Sequence, residues 1–167
     1  MRSSRRAFLA SFATLACLAL SGCGFSPMYG AAGVSSALSD IRVETGREQV
    51  DFHLQEALLE RMGARHANGP YTLHTQSETL RAPLGVGADA AVSRYAIRLD
   101  VDFALLRDGD VDPVLTGSVS TEASYNIPSS VYASVAAERD ATERAAQLAA
   151  ERIANRLVRA LQDADTQ

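Results

Sequence analysis

The sequence contains no lysine and no tryptophan, and only two of its 167 residues are cysteines. Its formal net charge is −4 at pH 7. A nucleic-acid-binding protein needs a basic surface, so this acidic balance argues against nucleic acid as a partner. Any basic patch must be built from arginine, whose planar guanidinium binds carboxylate or phosphate through two parallel hydrogen bonds.

The N-terminus has the pattern of an export signal. Three arginines among the first six residues precede a run, 7–20, that is apolar apart from one serine and one threonine. That run is shorter than the roughly 20 residues that span a bilayer as a helix. It ends in Leu20-Ser21-Gly22-Cys23, a lipobox. We therefore assign residues 1–22 to a lipoprotein signal peptide and expect lipidation of Cys23.

The signal peptide is compatible with two export routes, and its removal changes the net charge of the chain. Ser4-Arg5-Arg6-Ala7-Phe8-Leu9 resembles a twin-arginine signal, but ordinary secretory leaders also carry paired arginines. Cleavage removes Cys17, so the mature chain would hold one acylated cysteine and no disulfide. It would hold 13 arginines of the 16 against all 20 acidic residues, a net charge of −7. An anionic ligand would therefore need a local arginine cluster.

The lipid on Cys23 predicts where the protein resides. Each acyl methylene buried in the bilayer adds about 0.8 kcal/mol to the free energy of membrane binding. One acyl chain therefore anchors a protein marginally, and several anchor it firmly. The chain resembles bacterial lipoproteins, which carry a diacylglyceryl thioether and an N-acyl chain at this position. In lipoproteins with this start, Gly24 in place of aspartate usually allows sorting to the outer membrane. We therefore expect a lipid-anchored protein of the cell outer membrane, facing the periplasm.

The mature chain divides into a tether, one domain and a short tail. Residues 23–39 are rich in glycine, alanine and serine and read as the lipidated tether. Residues 40–162 are assigned to a single domain and 163–167 to a tail. Within the domain, an apolar face predicts a helix that ends at Gly63, formed by Val50, Leu54, Ala57 and Leu58. Short strands are predicted at 41–45 and 71–76, and a mobile loop at 81–91.

Strict alternation predicts a long antiparallel hairpin. Every second residue from Tyr95 to Leu105 is apolar, with mostly polar residues between them. Asp108-Gly109 marks a tight turn, and a second alternating run extends over 115–127. An alanine-rich stretch at 134–161 then predicts a helix, because alanine, glutamate, arginine and glutamine all favour one. Asp140 and Arg144 can pair four residues apart, and the arginines near the helix end suit its dipole, namely Arg152, Arg156 and Arg159. The predicted apolar stripe consists of Ala146, Ala149, Ile153, Leu157 and Ala160.

This order of elements predicts an α+β fold. The order is β-α-β-β-β-α, and two amphipathic helices can cover only one face of a sheet. We expect a two-layer sandwich in which two helices pack on one face of a four-stranded mixed sheet. The other sheet face should stay polar and open.

No catalytic, metal or cofactor site is evident. The three histidines lack partners at zinc-ligand spacing, and no nucleophile elbow is present. The acids of the 108–112 turn alternate as in a calcium loop, but Pro113 and Val119 replace its glycine and bidentate glutamate. We therefore predict that the protein is not an enzyme and holds neither metal nor cofactor.

A longer motif follows the lipobox. Cys23-Gly24-Phe25-Ser26-Pro27-Met28-Tyr29 resembles the start of the LptE family of lipopolysaccharide-assembly lipoproteins, which typically reads C-G-F-x-P-L-Y. Met28 replaces the usual leucine, a mild apolar change. Ser124-Tyr125-Asn126, the segment 130–133 and the arginine-rich final helix resemble later parts of the same family. The resemblance covers the whole mature chain, and the N-terminal motif is its most specific part.

The resemblance implies a fold and a function. Two helices on a four-stranded sheet agree with the pattern read from the residues. The implied function is to partner, plug and help assemble LptD, the large outer-membrane barrel that moves lipopolysaccharide to the outer leaflet. A polar sheet face suits a polar barrel lumen. The alternative is an auxiliary lipoprotein of another envelope lipid transporter, which would lack a barrel partner.

Three arginines are candidates for binding lipopolysaccharide, because lipid A carries phosphates. Arg94 and Arg98 share a strand face, with Cβ atoms about 13 Å apart at the rise of a strand. Arg81 begins the adjoining predicted loop, from which it could approach them. The alternative is that Arg94 and Arg98 pair across the sheet face with Asp100, Asp102 or Glu122.

Overall fold

The computed structural model describes residues 37–64, 69–86 and 92–165. In chain order, its elements are strand β1 (Ile41–Glu44), helix α1 (Gln49–Met62), strand β2 (Tyr71–Val86), strand β3 (Val92–Arg107), strand β4 (Leu115–Asn126) and helix α2 (Val131–Asp165). This is the predicted order. The leader, Cys23 and the segment 24–36 lie outside the described residues, so the interpretations placed on them stay predictions.

The strands form one mixed sheet in the order β1-β2-β3-β4. β1 pairs with β2 in parallel, whereas β2 with β3 and β3 with β4 are antiparallel. The antiparallel pairing of β3 with β4 follows from the alternation of the two strands and from the turn between them. Gly109 takes a φ of 92° in that turn, a conformation that glycine adopts without steric cost.

The core lies between the sheet and the two helices, as the alternation predicted. Alternate residues of β3 are at most 4% exposed and face the helices, namely Ile97, Leu99, Val101 and Phe103. α2 packs on β3 and β4, and α1 packs mainly on α2. Four of the five predicted stripe residues of α2 are fully buried: Ala146, Ala149, Ile153 and Leu157. The predicted two-layer sandwich is therefore confirmed.

The first helix is held at both ends. Gly63 ends α1 in the left-handed conformation, with a φ of 67°, and its amide donates to the helix. At the other end, the Asp51 carboxylate accepts from the Glu48 backbone amide at 2.9 Å and from the Ser77 hydroxyl at 2.5 Å. Asp51 is only 3% exposed, so this buried acid both caps α1 and ties it to β2.

Two boundaries differ from the prediction. The mobile loop predicted at 81–91 is wrong for 81–86, because β2 continues to Val86 along β3, with register shifts after Pro83. Pro83 and Gly85 read as loop residues, yet pairing with β3 holds them in the sheet. At the other boundary, Leu38 is 2% exposed and packs in the core, so burial begins inside the segment predicted as tether.

Candidate functional site

The structure places Arg94 and Arg98 on the open face of the sheet, as predicted. They are exposed, and the residues opposite them on β4 are Asn126 and Glu122. Arg94 Nε donates to Asn126 Oδ1 at 3.2 Å, and Arg98 Nε donates to Asp100 Oδ2 at 3.1 Å. The predicted alternative of pairing along the sheet face is thus observed for Arg98 with Asp100. These bonds use Nε, and a guanidinium has four further N–H donors that can meet an anion.

The charge around this arginine pair is mixed. The Ser120 hydroxyl, which bonds the Asp100 carboxylate, and then Arg98 hold the pKa of Asp100 below its usual value, despite an opposing contribution from burial. Asp100 therefore stays ionised at neutral pH and offsets much of the Arg98 charge. Glu122 faces Arg98 from the neighbouring strand, and Glu78 is opposite Asp100. Arg94, whose hydrogen-bond partner Asn126 is neutral, therefore keeps more of its positive charge than Arg98 does.

Arg81 does not join this pair. It lies in β2 opposite Ile97, a buried residue, and so points to the helix side of the sheet. Successive side chains of a strand point to opposite faces, which puts Arg81 on the other face from Arg94 and Arg98. The prediction that Arg81 approaches them from a flexible loop is wrong.

Arg81 instead belongs to a cluster between β2 and the first half of α2. Its guanidinium carbon lies 4.0 Å from the Tyr95 ring centroid and 5.9 Å from that of Tyr125. Its Nη1 lies 3.7 Å from a carboxylate oxygen of Glu138, which also accepts the Tyr125 hydroxyl at 3.1 Å. Burial first, and then this bond, raise the pKa of Tyr125 above its ordinary value. Cation–π and ionic contacts therefore engage Arg81 within the fold.

The open face also carries a shallow hollow of about 610 Å³ on the half of the sheet away from Arg94. The hollow is wide because three of the side chains that line it are small, those of Ala104, Thr116 and Ser118. His74 and Asp102 border it, and His74 Nδ1 lies 3.3 Å from a Glu44 carboxylate oxygen. The hollow therefore presents an imidazole, a carboxylate and several hydroxyl groups.

Neither a metal-binding cluster nor a membrane-spanning helix lies within residues 37–64, 69–86 and 92–165. Among those residues, no group of three or more histidine, cysteine, aspartate or glutamate side chains is placed to hold a metal ion. No helix in the same ranges combines the length and apolar character needed to cross a membrane.

Sequence reasoning missed the Arg81 cluster and the role of the α2 arginines. Arg152 and Arg156 were expected to interact with the helix dipole, yet they donate to the Ser120 and Ser118 carbonyls of β4. The only hint in the sequence was the four-residue spacing of these arginines, which places them on one side of the helix. The predicted Asp140–Arg144 pair is confirmed, with a nitrogen–oxygen distance of 3.0 Å.

Comparisons with known proteins agree with this architecture. A family model described as lipopolysaccharide-assembly, LptE, matches residues 37–157. A solved structure of a lipoprotein from Caulobacter crescentus CB15 is 30% identical, with a TM-score of 0.70 over 79% of this chain and 97% of that chain. Comparison with curated proteins finds no match.

Two more distant structures support the fold alone. Rare lipoprotein B from Shewanella oneidensis is 14% identical, with a TM-score of 0.52 over 75% of this chain and 96% of that chain. A minor lipoprotein from Acinetobacter baumannii is 16% identical, with a TM-score of 0.54 over 71% of this chain and 89% of that chain.

Proposed function

Because the chain belongs to the LptE family of lipopolysaccharide-assembly lipoproteins, we propose that it partners and plugs an LptD-like outer-membrane barrel. In that role it helps the barrel to assemble and lipopolysaccharide to reach the outer leaflet. The family match over 37–157 carries this proposal. A second feature supports it: the sheet face away from the helices is lined mainly by short polar and charged side chains. Such a face can fill a water-lined lumen without exposing an apolar surface.

Copurification from outer membranes tests the proposed partnership. A tagged copy should bring down a large barrel protein in a one-to-one ratio. Depletion of the protein should lower the amount of correctly assembled barrel and admit large apolar compounds through the envelope. Copurification of an inner-membrane transporter, with normal barrel levels and an intact permeability barrier, would contradict the proposal and favour an auxiliary lipoprotein.

The proposed anchor is the acylated thiol of Cys23, which the lipobox motivates. Cys23→Ala removes the only group that can receive the lipid, so we expect an uncleaved, unacylated precursor that is lost from the outer membrane. Mass spectrometry of the purified protein measures both changes. Cys17→Ala is the matched control and should leave the mature mass unchanged, because that cysteine departs with the leader. A wild-type N-terminus other than acylated Cys23 would refute the anchor.

Arg94 and Arg98 are the proposed contacts for lipid A phosphate. Arg94→Gln with Arg98→Gln removes two charge-assisted hydrogen-bond donors, each contributing about 1.5–3 kcal/mol, so lipopolysaccharide affinity should fall at least about tenfold. Glutamine is chosen because glutamate at 98 would face Glu122. Equilibrium binding to purified lipopolysaccharide measures the loss, and barrel copurification should persist.

The matched control is Arg47→Gln with Arg139→Gln, which removes the same charge from two other exposed arginines. It should bind lipopolysaccharide like the wild type. Equal binding by a folded Arg94 and Arg98 double variant would exclude the site and leave these arginines a purely structural role on the sheet face. Equal losses in both double variants would mean that net charge, rather than position, governs binding.

A further inference from the structure

The two edges of the sheet differ in how much of their backbone is covered by other parts of the fold. On the β4 edge, three arginines of α2 donate to backbone carbonyls of the strand. Arg144 Nη2 donates to the Ser124 oxygen at 3.2 Å and Arg156 Nη1 to the Ser118 oxygen at 2.8 Å, while Arg152 donates to the Ser120 oxygen. Four helix residues rise about 6 Å and two strand residues about 6.7 Å, so the spacings match.

These bonds close the β4 edge to further pairing. A strand edge invites another strand because it presents unpaired carbonyl and amide groups at regular spacing. At Ser118, Ser120 and Ser124 the outward carbonyl already accepts from a guanidinium of the same chain. An incoming strand would have to displace the three arginines, so this edge is protected from pairing.

The β2 edge has no such cover beyond its first residues. β1 pairs only with residues 71–74 of this 16-residue strand. In the described part of the chain, no strand lies beside residues 75–86 on that side. The helices leave the distal half of β2 open as well, because Thr79, Arg81 and Pro83 are exposed although their side chains point to the helix side.

The register shows which backbone groups face outward along this edge. The carbonyls of Ser118, Ser120 and Ser124 point away from β3, and these residues are opposite even-numbered residues of β3. In an antiparallel ladder, the backbone N–H and C=O groups of those even-numbered β3 residues must then point toward β2. Their partners on β2 are also even-numbered. The backbone groups that point away from β3 therefore belong to the odd-numbered residues Thr75, Ser77, Thr79 and Arg81. Of these residues Thr79 and Arg81 are exposed, whereas Thr75 is buried and the Ser77 hydroxyl donates to Asp51 of α1.

The outward-facing series ends at Pro83, which has no amide hydrogen to donate. Register shifts follow between Pro83 and Val86. The stretch able to pair, defined here as the open edge, is thus residues 78–82 and about 16 Å long, because Thr75 is buried and Ser77 contacts α1. Leu80 lies within it and is 57% exposed on the open sheet face.

We infer that the open edge receives an extended polypeptide segment of the barrel partner, which adds a fifth strand beside β2. Alternating donors and acceptors at strand spacing match a peptide backbone, and Leu80 supplies an apolar contact for one of its side chains. A second copy fits poorly, because self-pairing would engage five residues a side where stable interfaces use about 20–30. The inference rests on the proposed function, since it names the surface that the barrel partner meets.

A pair of proline variants tests this interface in the full-length lipoprotein. Thr79→Pro removes an outward amide hydrogen from the open edge without removing a bond to β3. Ser120→Pro removes an outward amide hydrogen from the closed β4 edge. Both should fold, as circular dichroism and thermal melting will show. We expect Thr79→Pro to reduce barrel copurification at least tenfold and Ser120→Pro to leave it unchanged.

Cross-linking provides a second readout that does not depend on the folding of Thr79→Pro. The mature chain has a single cysteine, Cys23, so Leu80→Cys and Ser118→Cys each introduce one new reactive thiol. A short thiol-reactive photocross-linker should join position 80 to one extended segment of the barrel protein, identified by peptide mapping, whereas position 118, which also faces the lumen, should not reach that segment.

Three results would overturn the inference. The first is a barrel that copurifies normally but does not cross-link from position 80, or that joins positions 80 and 118 through the same segment. The second is cross-linking of position 80 to a second copy of the chain, seen as a product of twice its mass. The third is the absence of any barrel from wild-type preparations, and this result alone would also remove the proposed function.

Discussion

Leu99→Asp should unfold the domain, whereas Asp100→Asn, one residue along, should leave its stability nearly unchanged. Leu99 is fully buried between the sheet and the helices, where an unpaired carboxylate costs more than the whole stability of most domains. Asp100 lies on the opposite face beside Arg98 and Ser120, where solvent screens the lost charge. Thermal unfolding followed by circular dichroism measures both variants.

The pair also tests the face assignment of β3 on which the candidate site depends. If Leu99 faces the helices, Arg94 and Arg98 must lie on the open face, because side chains alternate along a strand. Similar melting temperatures for Leu99→Asp and Asp100→Asn would show that this assignment is wrong, and the proposed lipid contact would fall with it.

Asp51→Ala should destabilise the domain through the N-terminal end of α1. It leaves the Glu48 amide and the Ser77 hydroxyl without their shared acceptor in a buried setting and removes an N-terminal helix cap. Together these losses should cost about 2–4 kcal/mol. The melting temperature should fall by about 5–15 °C for a domain of this size.

Two control variants separate the contributions. Ser77→Ala deletes only the bond to β2 and should cost about 1 kcal/mol. Asp140→Ala deletes an exposed acid that pairs with Arg144 within α2 and should cost about 0.3–0.5 kcal/mol. An Asp51→Ala variant no less stable than Asp140→Ala would mean that the buried carboxylate contributes nothing to the fold.

Part of the candidate site followed from the sequence and part did not. The alternation of β3 placed Arg94 and Arg98 on one face and the apolar core on the other, which the structure confirms. Position 81 was misplaced because Pro83, Gly85 and Gly87 suggested a loop. Glycine and proline favour loops locally, but antiparallel pairing with β3 overrides that preference up to Val86.

The sequence by itself determined the order of elements, the phase of β3 and β4, the end of α1 at Gly63 and the apolar stripe of α2. Each of these follows from a local rule, either side-chain periodicity or the conformational freedom of one glycine. Only the tertiary structure decided that Arg81 packs on Tyr95, that Asp51 meets Ser77, and that the α2 arginines close the β4 edge. These contacts join residues 14 to 38 positions apart, and no local pattern encodes which strand lies beside which helix.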